Sequence, residues 1–278
     1  MPELPEVETV VRSLRPLLVG HTIRDMWYDW PRTLQSPSPD MFIARVRGQK
    51  VHAVTRRAKY IILHLDHDFL LIHLKMTGRL YVLDAGAAAP DDRWVHVRFQ
   101  LDEGKQLCFS DSRKFGRVYL ATQLDEIVNG LGPEPLEPDF TPEMFFQRLV
   151  SRDKALKSLL LDQTFVAGVG NIYADEALFR SGLHPLRRSH TLGRDEAYRL
   201  YEAVRDALNA GISHEGASIN WYRKPDGTQG DSQNHFYVYG RDGQPCYTCQ
   251  TTIAKMRVGQ RGTHFCPQCQ PAYKGSSS

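Results

Sequence analysis

The chain has 278 residues, enough for two domains that each bury a core, and its 41% hydrophobic and 24% charged residues are those of a soluble globular protein. No apolar run reaches membrane length and no basic-then-apolar leader opens the chain, which sets aside membrane and secreted classes and leaves a cytoplasmic protein as the expectation. A net charge of +3 is too small to mark a nucleic-acid binder by itself, so its distribution carries more weight. Cations cluster at Arg45, Arg47 and Lys50; at Arg56, Arg57 and Lys59; at Arg113, Lys114 and Arg117; and at Lys255, Arg257 and Arg261. Each cluster alone reads as a solvated face. Their recurrence in both halves suggests one basic surface assembled from separated segments.

The chain opens Met1-Pro2-Glu3-Leu4-Pro5-Glu6. Initiator Met is commonly trimmed before a small residue such as Pro, and its removal would leave Pro2 with a secondary amine. An α-amino group titrates at roughly 7.7–8.0, so a useful fraction is neutral and nucleophilic near pH 7. Attack of such an amine on a sugar C1′ or an aldehyde gives an iminium, an electron sink for elimination. Glu3 and Glu6 place two carboxylates beside it for proton transfer. The same six residues equally suit a plain helix start, with Pro in the first turn and acids at the positive end. Leu4, Val7, Val10, Val11, Leu14, Leu17 and Leu18 recur at helical spacing and predict an amphipathic helix over 3–18, packed on a sheet.

From about residue 22 to 122 short strands take over. Residues 94–101 alternate, Asp102-Glu103-Gly104 forms a turn, and the runs 60–65 and 69–74 are apolar enough for strands buried on both faces. Several strands with one helix predict a two-sheet sandwich or flattened barrel. The proline-rich stretch 131–138 is the expected domain boundary. Beyond it, 145–150, 155–161, 172–179 and 194–210 read as helices. Residues 223–235 form a long polar loop, of the kind that is either functional or disordered, and 275–278 a tail.

Cys246-x2-Cys249 and, sixteen residues on, Cys266-x2-Cys269 match a tetrahedral zinc site with each pair on its own turn of a hairpin. Two disulfides are the rival, disfavoured by the absence of secretory signs. Four thiolate ligands close the metal's coordination, so the expected role is structural. The surrounding Arg241, Lys255, Arg257, Arg261 and Lys274, against Asp242 alone, offset the site's negative charge and leave cations facing outward. The fifth cysteine, Cys108, reads as a buried strand residue. Ala167-Gly168-Val169-Gly170-Asn171 precedes an apolar helix, where backbone N–H groups can approach a phosphate; a tight interhelical turn with Asn171 as N-cap fits equally. His73–Gly78 and Asp111–Gly116 end strands among cations. Their Met76 and Phe115 fit either a core or a wedge that fills the space of a flipped nucleotide.

Taken in order, Met1–Thr9, Asp111–Gly116, Gly168–Glu176 and the cysteine ribbon with Gln260-Arg261-Gly262-Thr263 resemble the formamidopyrimidine-DNA glycosylase family over nearly the whole chain. The resemblance implies an α+β protein: a two-sheet β-sandwich catalytic domain with one packed helix (2–132), a helix–two-turn–helix DNA-binding domain (133–236), a zinc-finger ribbon (237–271) and a disordered tail (272–278), with DNA held in the cleft between. It implies excision of oxidised purines, chiefly 8-oxoguanine opposite cytosine and formamidopyrimidines, followed by β,δ-elimination. In this sequence Pro2 is then the Schiff-base nucleophile, Glu3 the general acid and Glu6 a supporting carboxylate. Lys59 resembles a lysine that contacts phosphate near the lesion. Met76, Arg113 and Phe115 resemble the void-filling trio, and Asn171 and Arg261 the phosphate clamps. Lys157 resembles a lysine that handles the damaged base, and His96 and Lys114 join the expected DNA contacts. The expected partners are damaged double-stranded DNA and one structural Zn2+ held by Cys246, Cys249, Cys266 and Cys269. No membrane, no small-molecule cofactor and a monomer are expected.

Three positions depart from the commonest family pattern: Ser112 where proline is frequent, Lys114 where arginine is frequent, and Ser158 where proline often follows the lysine. The first two leave open what stiffens the wedge loop. Residues 217–235 occupy the place of the loop that closes over an extruded base. A sister enzyme of endonuclease VIII type, acting on oxidised pyrimidines, is the nearest rival; Leu4 argues against it, since glycine is usual there. A DNA-binding protein that kept the clamp and lost the chemistry is disfavoured by the intact set of Pro2, Glu3, Glu6 and Lys59.

Overall fold

The apolar stripe at the start of the chain forms α1 (Leu4–Leu18) with Glu3 as its N-cap. Glu6 reaches back to accept the Glu3 N–H at 2.8 Å, satisfying a donor that a helix start leaves unpaired. Leu4, Val7, Val10, Val11, Leu14 and Leu18 are all buried, whereas Leu17, at the edge of the stripe, is exposed. The computed structural model describes residues 1–86, 92–219 and 222–273; residues 274–278 of the expected tail and Asn220 and Trp221 of the expected base-covering loop lie outside the described residues.

The strands that follow are β1 (Ile23–Tyr28), β2 (Leu34–Ser36), β3 (Ala53–Arg57), β4 (Tyr60–His64), β5 (Phe69–His73), β6 (Gly78–Leu83), β7 (Val95–Leu101), β8 (Gln106–Asp111) and β9 (Arg117–Ala121). One sheet runs β1-β7-β8-β6 and is antiparallel throughout. The other runs β2-β9-β5-β4-β3, with only the β2–β9 pair parallel. Val97, Phe99, Leu107 and Phe109 of the first sheet share a core with Ile61, Leu63, Leu70, Ile72, Val118 and Leu120 of the second and with the α1 stripe. Leu70, Leu71 and Ile72 are consecutive and all buried, as their unbroken apolar run requires. Between β2 and β3 the chain also forms α2 (Pro39–Val46), which strand alternation did not announce. Pro39 presets its first turn, and Phe42 and Val46, one helical turn apart, bury against the sandwich.

By contact the chain divides into two units: Met1–Asn129 with His214–Asp231, and Gly130–Ser213 with Ser232–Ser278. The first unit also holds α3 (Asp125–Val128). The second contains α4 (Pro142–Val150), α5 (Leu156–Leu160), α6 (Asn171–Ser181) and α7 (Arg194–Ser213), then the antiparallel ribbon of β10 (Ala254–Val258) and β11 (Arg261–Phe265). Thr141 caps α4 by accepting the Met144 N–H at 3.2 Å. Phe140, Phe145, Phe165 and Tyr201 pack ring to ring against it. Helices α6 and α7 touch where Gly211 meets Tyr173; a Cβ there would stand 2.5 Å from the tyrosine ring, so only glycine fits.

Candidate active site and metal centre

Pro2, Glu3 and Glu6 are brought together at the start of α1, and all three are buried. Both Glu6 carboxylate oxygens are engaged: Oε2 by the Glu3 N–H and Oε1 by the Ala217 N–H, each at 2.8 Å. Segment 214–231 is thereby tied to the N-terminal peptide from more than two hundred residues away. Gly216 makes this approach possible, since its φ is +79° and a Cβ would lie 2.9 Å from Glu6 Cγ. The Tyr222 hydroxyl donates to the Glu6 backbone oxygen at 3.3 Å, and burial, then the Glu6 charge, push its phenol pKa up. Ala217 and Tyr222 fall in the expected base-covering loop 217–235 and Gly216 just before it, but nothing local marks any of the three for contact with Glu6. Lys59 sits in the β3–β4 turn, buried, just after Ala58 at φ +51°.

Met76 projects from the β5–β6 turn and Phe115 from the β8–β9 turn, 38% and 46% exposed. Large apolar side chains left this open at turn tips are available for another surface. The Arg113 guanidinium lies 4.8 Å from the centre of the Phe115 ring, and Lys114, at φ +57°, places its ammonium 4.4 Å over Trp30. On the Met76 side, His73 Nδ1 accepts the Lys75 N–H at 3.0 Å. Burial first, then the charges of Lys75 and Lys59, push the His73 imidazole down to about 3, so it is neutral and able to accept. His96 is buried in β7 with Nδ1 2.7 Å from Asp29 Oδ1, and its Nε2 has no hydrogen-bond partner among the described residues.

In the second unit Asn171 follows Gly170 as the first residue of α6. Its Nδ2 donates to the Gly262 carbonyl at 3.0 Å, joining the interhelical turn to the ribbon beside Arg261, while its Oδ1 has no partner among the described residues. Lys157 is fully buried, donating to Asp175 Oδ1 at 2.6 Å and to the Asn171 carbonyl at 2.7 Å. Asp175 Oδ2 in turn accepts the His264 N–H at 2.9 Å. Lys157 thus lies beneath the Asn171 turn, linked through Asp175 to β11, where its charge is balanced by an acid and a carbonyl. Glu176, also buried, accepts three N–H groups from Tyr237, Val238 and Tyr239 at 3.0 Å each. Burial raises its carboxyl pKa against those three bonds. Both acids lie in the Gly168–Glu176 motif, but nothing in the sequence marks them as internal ties.

The four ribbon thiols Cys246, Cys249, Cys266 and Cys269 have sulfur atoms all within 4.8 Å of one another. Separations of 3.4 Å, 3.5 Å and 3.9 Å far exceed a disulfide bond. A tetrahedral zinc with Zn–S of about 2.3 Å sets its sulfurs about 3.8 Å apart, so the donor set fits that ion. Phe179, Val238 and Ile253 pack around the cluster, leaving a closed structural site. Arg261 begins β11 on the exposed side of the ribbon, after Gly259 and Gln260, both at positive φ.

The chain matches three family descriptions in order: formamidopyrimidine-DNA glycosylase N-terminal domain over residues 1–118, the H2TH domain of the same enzymes over 131–223, and the zinc finger found in FPG and IleRS over 243–272. It is 48% identical over 274 residues to the formamidopyrimidine-DNA glycosylase of Chloroflexus aggregans, covering 97% of this chain and 98% of that one. The chain belongs to the formamidopyrimidine-DNA glycosylase family. Among solved structures, a Lactococcus lactis FPG variant in complex with Fapy-dG-containing DNA superposes with a TM-score of 0.90 at 34% identity, over 98% of this chain and 100% of the other. MutM in complex with carbocyclic 8-oxo-G-containing DNA gives 0.88 at 35% identity, over 98% and 100%. A formamidopyrimidine-DNA glycosylase family member is a DNA-repair enzyme, and the FPG-type finger with its four clustered thiols holds one structural zinc. Among the described residues no helix is long and apolar enough to cross a membrane.

Proposed function

We propose that this enzyme excises oxidised purines, 8-oxoguanine opposite cytosine and formamidopyrimidines, from damaged duplex DNA, then cleaves the strand by β,δ-elimination. The observation that carries this reading is the N-terminal peptide: Pro2 and Glu3 are buried side by side, with the Glu3 backbone fixed by Glu6. Removal of Met1 gives Pro2 a secondary amine. Its nitrogen attacks C1′ and the base departs, taking its proton from solvent or an acid at the site. The attached nitrogen gives up its proton, Glu3 protonates the ring oxygen O4′, and the C1′–O4′ bond breaks as the nitrogen lone pair forms the C1′ iminium. Loss of a C2′ proton into that electron sink expels the 3′ phosphate, and a second elimination expels the 5′ phosphate. Glu6 serves as a supporting carboxylate, because both of its oxygens already accept backbone N–H groups.

Reaching C1′ requires the nucleotide to leave the stack, at a cost of a few kcal/mol. Met76, Arg113 and Phe115 fill the void, with Arg113 meeting the orphaned cytosine. Lys59, Lys114, His96, Asn171 and Arg261 complete the DNA contacts, and Lys157 acts from beneath Asn171. The functional division is a catalytic sandwich (2–132), a helix–two-turn–helix domain (133–236) and a zinc ribbon (237–271), acting as a monomer in the bacterial cytoplasm. The Fapy-dG-containing and carbocyclic 8-oxo-G-containing DNAs bound by the relatives support the purine assignment.

The test is borohydride trapping on a duplex carrying 8-oxoguanine opposite cytosine, with the adduct mapped by mass spectrometry. A covalent adduct on N-terminal Pro2 is expected, and Pro2→Gly or Glu3→Gln should abolish base release while duplex binding stays within a few-fold. Unchanged cleavage by both variants refutes the assigned roles. A strong preference for thymine glycol moves the enzyme to the pyrimidine-lesion class.

A further inference from the structure

The turns that carry Met76 and Phe115 converge on a single buried carboxylate. Asp111 closes β8, directly opposite Gly78 of β6, and is 1% exposed. Its Oδ1 accepts the hydroxyl of Thr77, the residue after Met76, and the Arg113 N–H at 3.2 Å. Its Oδ2 accepts the Gly116 N–H at 2.6 Å. One side chain therefore ties the first turn to both ends of the second, with Lys114 and Phe115 looped out between the Arg113 and Gly116 backbone donors. Gly116 cannot be replaced without opening this arrangement, since a Cβ would lie 2.2 Å from the Phe109 ring and 3.1 Å from Asp111 Oδ2. A buried carboxylate is tolerated only with such donors around it, so the bracket is an all-or-none contact. Here it braces a loop, Ser112–Gly116, that contains no proline to stiffen it.

We infer that Asp111 is a positioning residue that fixes Met76 and Phe115 relative to each other, so that they enter the duplex as one wedge. The inference rests on the wedge role given to those residues under the proposed function. Thr77 is its partner in the other turn, and the Thr77 methyl alone cannot replace the hydroxyl. Loosening the bracket leaves the amine chemistry intact and slows only the steps that need the void filled.

The experiment measures single-turnover cleavage of two substrates: 8-oxoguanine opposite cytosine in a duplex, and a preformed abasic site in single-stranded DNA, which has no void to fill. A 2-aminopurine next to the lesion reports wedge insertion by fluorescence. Asp111→Asn and Thr77→Val should each slow duplex excision by about tenfold, the equivalent of one charge-assisted hydrogen bond, and blunt the fluorescence change. Both should cleave the single strand at the wild-type rate, and Thr77→Ser should restore duplex excision. Equal slowing on both substrates, or wild-type fluorescence in Asp111→Asn while Met76→Ala and Phe115→Ala alter it, overturns the inference alone. Unaltered fluorescence in Met76→Ala and Phe115→Ala removes the wedge reading and the inference with it. If Asp111→Asn loses its fold, the Thr77→Val and Thr77→Ser pair decides: equal duplex rates overturn the proposal.

Discussion

Met76 and Phe115 project from turns held by hydrogen bonds to one buried carboxylate, whereas Arg261 projects from a two-stranded ribbon held by four thiolates. Both arrangements aim an exposed side chain from a short segment that could not hold itself. The turns extend strands of a sandwich with nine strands among the described residues, whose core is already large, so three hydrogen bonds suffice to fix their tips. The ribbon has only two strands, and Phe179, Val238 and Ile253 offer it a small apolar cluster. Two isolated strands are marginal in water, so the metal takes the place of the missing core. Where a large core stands behind a loop, hydrogen bonding can do the aiming; where none does, a covalent-strength clip is required.

The contrast breaks most directly with a chelator. Stripping zinc should unfold the ribbon and lower duplex affinity by on the order of a hundredfold, while the sandwich keeps its melting transition. An unchanged complex after verified metal loss would mean that the ribbon does not depend on its thiolates. Arg261→Ala asks for less: binding to damaged and undamaged duplex should fall by about tenfold alike, with the salt slope shallower by about one. An effect confined to damaged DNA contradicts a phosphate clamp.

On the sandwich side the turn has a pH signature. His73 has a folded-state pKa of about 3 against 6.5 when free, because burial and the neighbouring Lys75 and Lys59 disfavour its charged form. The unfolded chain therefore binds the extra proton between those values. The stabilisation is full above pH 6.5 and is lost as pH falls toward 3, with a slope of at most about 1.4 kcal/mol per pH unit. Urea melts of His73→Gln, which keeps an acceptor for the Lys75 N–H, should lack this slope relative to wild type. Equal slopes would place the titration elsewhere. The smallest effect is expected from Lys114→Ala, which removes the ammonium over Trp30 and should cost about 0.5–1 kcal/mol in a denaturant melt. A loss well beyond that would show that the turn leans on Lys114 more than on Asp111.

The α1 stripe, the doubly buried β4 and β5 and the cysteine ribbon could be read directly, because each is a periodic or closely spaced pattern that sterics or metal geometry translate into one local structure. Pro2, Glu3 and the exposed apolar side chains Met76 and Phe115 were likewise visible as residue types in suggestive places. Asp111 was visible too, though only as a member of its motif. Its tie to Thr77 spans 34 residues and depends on β6 and β8 pairing in one register. The Glu6–Ala217 bond spans 211 residues and needs Gly216 at positive φ. Lys157 reads as one more cation until the fold buries it on Asp175.

The sequence by itself therefore determined the classes of element and the metal ligands, and it offered Pro2 as the proposed nucleophile, since those follow from neighbours within a few residues. Only the tertiary structure decided which acids became brackets and which cations became internal ties. Those roles depend on burial, which raises the cost of an unpaired charge until a distant donor or acid satisfies it.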